Sequence, residues 1–116
     1  MEAQSGSAEV FIQLATRAIK LHDYHKLDAL ADVLAERYVP AEIAEIVRQA
    51  ELPQIRAIAY ETLSMLPIRS LVMLMDDPLY VEIAANAIEQ QAFEYESEEA
   101  RDFLEQLDAE EQMRQD

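Results

Sequence analysis

His22 and His25 come nearest to a chemically useful pattern in this chain, with Asp23 and Asp28 close by. At i and i+3 two imidazoles can share one helical face and hold zinc or nickel weakly. A tight site needs further ligands at recognisable spacing, and none is present. The expectation for this stretch is therefore a solvated turn. Carboxylates are plentiful, yet none stands alone in an apolar run where burial would raise its pKa for general acid work. Asp76 and Asp77 precede Pro78 and suit helix capping. Ser64 and Ser70 lack the glycines and the histidine that surround a nucleophilic serine. With no cysteine in the sequence, thiolate zinc sites, iron–sulfur clusters, disulfides and cysteine nucleophiles are excluded together. No enzymatic activity, cofactor or metal is expected.

A second pattern is electrostatic. Residues 93–116 hold 10 acids and 2 bases, a net −8, against 14 acids and 7 bases, a net −7, in residues 1–92. Glu94, Glu96, Glu98, Glu99 and Asp102 make a dense negative field that attracts a basic partner and speeds its association. Phe93, Tyr95 and Phe103 are interleaved with them, which a merely solubilising tail does not need. These eight residues, with Tyr60 and Tyr80, are the candidate partner-binding set, aromatic side chains being enriched at interface hot spots. The competing reading of the segment is a solvated helix with a frayed end.

The elements that must position these residues read as helices throughout. Prolines at 40, 53, 67 and 78 divide the middle of the chain, and each can open a helix, where a missing N–H costs nothing. Apolar residues recur at helical spacing and nowhere alternate. Ser7 is expected to cap a first helix with Phe11, Leu14, Ala15 and Ala18 on one face. A second carries Leu27, Leu30, Ala31 and Leu34 and stops by Val39, and a short third carries Ile43, Ile46, Val47 and Ala50. The fourth starts at Pro53 with Ile55, Ile58, Ala59, Thr62 and Leu63. The fifth runs from Pro67 to Met75 with Ile68, Leu71, Val72 and Met75 together, and Met65, Met73 and Met75 read as core filler, although such adaptable side chains also suit binding grooves. The sixth has Pro78 as its first residue, capped by Asp76 or Asp77, and Val81, Ala84, Ala85, Ile88 and Ala92 as its buried face. Ser97 is expected to cap a seventh, striped by Ala100, Phe103, Leu104 and Leu107.

A weak internal repeat underlies this order. Ile55 aligns with Val81, Arg56 with Glu82, Ala59 with Ala85 and Thr62 with Ile88, at an offset of 26, and the preceding short helices align similarly. Asp77-Pro78 followed by Val81-Glu82, Ala84-Ala85 and Ile88 resembles the second-helix signature of HEAT-type repeats, as does Leu52-Pro53 with Ile55-Arg56, Ala59 and Leu63. Arg56 sits where that family carries a basic residue, and Glu82 departs from the pattern. The resemblance spans roughly residues 24–92 and implies stacked antiparallel helix pairs that bind other macromolecules, usually proteins. An irregular compact helical bundle is the other all-α architecture open to this pattern.

At 116 residues the chain has one domain's worth of polypeptide, and its net charge of −15 rules out ordinary phosphate-backbone binding. Direct nucleic-acid or membrane binding is therefore not expected. Residues 1–92 are expected to form a helical-repeat body, and 93–116 an acidic amphipathic helix that docks on it or projects as an arm. No secretory leader is visible in Met1–Ala8, and a cytoplasmic setting is expected. The functional expectation is an adaptor, assembly factor or inhibitor that binds another protein with a basic surface. An acidic mimic of nucleic acid, blocking a DNA- or RNA-processing enzyme, is the alternative. An incompletely covered helix stack could also form a homodimer.

Overall fold

A computed structural model describes residues 7–115, with side chains described through residue 112. Met1–Gly6, part of the stretch read above for a leader, and Asp116 lie outside the described residues. Seven helices and no strand occur among the described residues: α1 (Ala8–Lys20), α2 (Tyr24–Arg37), α3 (Pro40–Gln49), α4 (Pro53–Ser64), α5 (Ile68–Leu74), α6 (Val81–Phe93) and α7 (Glu98–Gln115). The chain divides into two compact units, Met1–Leu63 and Ser64–Asp116.

In the first unit α1 packs on both α2 and α3. Its buried residues Ala8, Phe11, Ala15 and Ala18 recur at three- and four-residue steps, so one stripe meets both neighbours. Leu34, Ile43 and Ile46 are fully buried in α2 and α3, each contributing about 1.5–3 kcal/mol by leaving water. Phe11 meets Tyr38 edge-to-face, with centroids 5.8 Å apart. In the second unit α6 packs on both α5 and α7. Ala84, Ala87, Ile88 and Ala92 form its core face, and the alanines let neighbouring backbones approach.

The prolines act as expected at Pro40 and Pro53, which open α3 and α4. Pro67 stands one residue before α5 as its N-cap. Pro78 is not the first residue of α6. It lies in a turn closed by Tyr80 N–H to the Asp77 carbonyl at 2.9 Å, and the Asp77 carboxylate accepts from Leu79 N–H at 2.9 Å. That side-chain bond stabilises the turn in preference to helix, so α6 starts at Val81. Leu14, expected on the buried face of α1, is 43% exposed, because that face is met by Phe11, Ala15 and Ala18. Met65 and Met73 are not core filler either, at 75% and 72% exposed. Met65 falls in the turn after α4, and Met73 points away from the stripe of Ile68, Leu71 and Leu74 that α5 buries.

The single glycine of this chain, Gly6, precedes α1, so no helix can end on glycine in the usual way. Other groups take up the exposed backbone at the helix ends. α1 ends with His22 in the left-handed region, φ 57°, while Asp23 N–H reaches the Ala18 carbonyl and His22 N–H the Ile19 carbonyl. Arg56 of α4 donates to the Ala50 carbonyl at the end of α3, 2.7 Å away. Gln91 of α6 donates to the carbonyls of Ser64 and Leu66 where α4 ends, at 2.8 and 2.7 Å. Arg101 of α7 donates to the Ala92 carbonyl near the end of α6, at 2.9 Å. At the start of α1, Ser7 holds the cap position without a side-chain bond, and Glu42 of α3 accepts from Ala8 N–H at 2.8 Å instead. Ser97 caps α7 as expected, accepting from Ala100 N–H at 3.2 Å.

Candidate protein-binding groove

In the second unit α5 and α7 lie on the same central helix, α6, and leave an open groove between them. It has a volume of about 460 Å³ and is lined by Ile68, Arg69, Val72 and Met73 of α5 and by Glu99, Asp102, Phe103 and Gln106 of α7. An adjoining hollow of about 330 Å³ shares Ile68 and Glu99 and extends to Met65, Leu66, Pro67 and Tyr95. The two form one apolar trough with a charged lip.

Local sequence explains each wall. α5 is only seven residues long and buries Ile68, Leu71 and Leu74, so Arg69, Val72 and Met73 are left for the groove. α7 is fixed by Ala100, which is fully buried, and by the half-buried Phe103, Leu104 and Leu107. Glu99 and Asp102 flank that stripe and are exposed. Among the described residues, neither carboxylate nor Arg69 makes an ion pair. The unit carries 14 acids against 3 bases, a net −11. Beneath the trough, Gln91 anchors α6 to the α4–α5 turn, and Ser64 Oγ donates to Gln90 Oε1 at 2.8 Å.

Of the ten candidate residues, Tyr95, Glu99, Asp102 and Phe103 line this trough. Phe93, Glu94, Glu96 and Glu98 are exposed beside it without lining it. Glu96 has a positive φ of 54°, in the link between α6 and α7. Tyr80 caps the opposite end of α6, about 20 Å along the helix from Phe93 at 1.5 Å per residue. Tyr60 lies half-buried in α4, in the other unit. Sequence reasoning missed the α5 wall, above all Met73 and Arg69. Part of the signal was available: Arg69 and Met73 lie off the expected stripe of Ile68, Leu71, Val72 and Met75, whereas Val72, a member of that stripe, is half-buried and lines the groove.

The first unit has a surface of opposite character. Ile12, Thr16, Arg17 and Lys20 of α1, with Leu21 just after it, line an open hollow of about 520 Å³. Leu21 and the nearby Lys26 and Asp23 border another. His22 ends α1, with its Nδ1 3.2 Å from the Tyr24 hydroxyl, and His25 is exposed in the first turn of α2. No group of three or more potential metal ligands comes together among the described residues. At the other end of α1, where Tyr38 packs on Phe11, burial first and the Glu42 carboxylate second push the Tyr38 phenol above its usual value. No single described helix is long and apolar enough to cross a membrane.

Comparison with known proteins finds no matching family model, no similar curated protein and no similar solved structure. The class that can be stated is an all-α protein of seven helices among its described residues, whose second unit carries an acidic-lipped apolar groove.

Proposed function

We propose that this chain is a non-enzymatic protein-binding module, built on short HEAT-like helix pairs, that acts as an adaptor, assembly factor or inhibitor of a partner with a basic surface. The observation that carries the reading is the groove itself, where exposed methionine and half-buried aromatic surface lies beside carboxylates that make no ion pair among the described residues. Apolar contact supplies affinity in such a site, and the carboxylates supply steering and register. The cysteine-free sequence suits a reducing cytoplasm. The connection of α1 to α2 by three residues, with the two helices packed together, supports the helix-pair part of the proposal.

The second reading is a mimic of nucleic acid. It draws support from the exposed carboxylates of α7, Glu98, Asp102 and Glu105, which follow one another at four- and three-residue steps. Salt separates the two. A mimic loses most of its affinity between low and moderate salt and is displaced by nucleic acid, whereas a groove binder with an apolar floor loses much less. The deciding experiment is photocrosslinking of folded protein in the cells that express it, with the crosslinker placed at several exposed positions. A partner captured reproducibly, and retained at moderate salt, is the expected result. Absence of any partner above background at every position refutes the proposal.

A further inference from the structure

We infer that the α5–α7 groove takes a basic amphipathic helix of another protein, about two turns of which lie in the groove with the apolar stripe on its floor. This rests on the protein-binding reading and names the occupant. The floor is made by Ile68, Val72 and Phe103, and Met73 stands at its lip with an adaptable thioether. On the α7 wall, Glu99 and Asp102 are three residues apart, about 4.5 Å along the axis, which matches one turn of a helix lying alongside. The α5 wall presents Arg69. Walls of opposite sign fix the occupant's rotation: its lysine or arginine flank faces α7, and an acidic residue on its other flank faces α5.

The length follows from the wall. From Glu99 to Gln106 the α7 side covers about 10 Å, close to two turns, so three apolar anchors at i, i+3 or i+4, and i+7 fill it. The charge of α7 supports the same occupant. Glu98 and Asp102 at i, i+4, and Asp102 and Glu105 at i, i+3, repel one another along its exposed face, and a cationic neighbour reverses that penalty. A second copy of the chain is a poorer occupant. Its α1 face carries Arg17 and Lys20 beside Leu21, but the two units bear net charges of −4 and −11 and repel one another overall.

The test uses the full chain and fluorescent helical peptides about four turns long. The main probe has leucines at helical spacing with lysines on one flank and a single glutamate on the other. Three controls accompany it: a scramble of the same composition, a version with glutamate for lysine, and a peptide copying residues 8–20. The patterned peptide is expected to bind at least about tenfold more tightly than every control, a difference of about 1.4 kcal/mol. Glu99→Lys and Asp102→Lys are each expected to weaken it about tenfold. Both positions are exposed, so an unchanged circular dichroism spectrum certifies the fold. Lys20→Glu should leave binding unchanged, and a photocrosslinker at position 73 should capture the peptide. Equal binding of the scramble, equal binding of the 8–20 copy, or no binding up to about 1 mM overturns the inference. If the peptides fail while cellular crosslinking finds a partner elsewhere on the chain, the groove assignment falls and the protein-binding proposal stands.

Discussion

Replacing Gln91 by methionine keeps nearly the same side-chain length and volume but removes both hydrogen-bond donors from beneath the groove. Gln91 is only 8% exposed, and its amide is shared between the carbonyls of Ser64 and Leu66, at 2.8 and 2.7 Å. The Ser64 bond is buried, so losing it costs about 1–3 kcal/mol. The Leu66 bond is partly buried, so water recovers part of the loss and about 1 kcal/mol remains. The new methionine gains about 1 kcal/mol from the apolar surface it buries. The net expectation is a loss of about 2 kcal/mol, or at least about 8 °C in the melting temperature of a small unit. Thermal unfolding followed by circular dichroism at 222 nm measures it, with Glu89→Gln on the exposed face of α6 as the neutral control. A Gln91→Met shift indistinguishable from that control would falsify the claim that this amide secures the end of α4.

His22→Gly should raise stability by about 0.5–1 kcal/mol, because the left-handed backbone costs a side chain about 1–2 kcal/mol and glycine returns about 0.5–1 of the gain through its freer unfolded state; a lower melting temperature would refute the role given to His22. The folded-state pKa of Tyr38 lies above the unfolded value of about 10, so its contribution to stability is complete below pH 10 and is lost as pH rises through the folded pKa. Tyr38→Phe should therefore flatten the alkaline fall in stability. Glu42→Gln should lower the Tyr38 pKa only part of the way, burial being the larger cause, and ultraviolet titration against the Phe variant reads both. Met65→Gln and Met73→Gln should each change the melting temperature by less than about 2 °C, as expected of exposed side chains; a loss of several degrees would return them to the core.

The helices were legible because their signals are local. Pro40 and Pro53 open helices by the geometry of a single ring, and the stripes of Phe11, Ala15 and Ala18 or of Ala84, Ile88 and Ala92 follow from helical pitch alone. Part of the groove was legible for the same reason, since Glu99, Asp102 and Phe103 belong to one amphipathic helix. The turn at Pro78 was misread because two local devices compete there, an N-terminal proline and an aspartate that closes its own turn, and sequence does not weigh one against the other.

By itself, the amino-acid sequence determined the all-helical class, the helix starts at Pro40 and Pro53, the absence of thiol chemistry and the strongly acidic balance. Tertiary structure decided which apolar residues stay outside. Leu14, Met65 and Met73 are as hydrophobic as their buried neighbours, and only the number and placement of packing helices leave them in water. It also decided how a chain with one glycine ends its helices. Glu42, Arg56, Gln91 and Arg101 reach backbone groups from 6 to 34 residues away, and no short-range pattern encodes such bonds, because they exist only after the helices have packed.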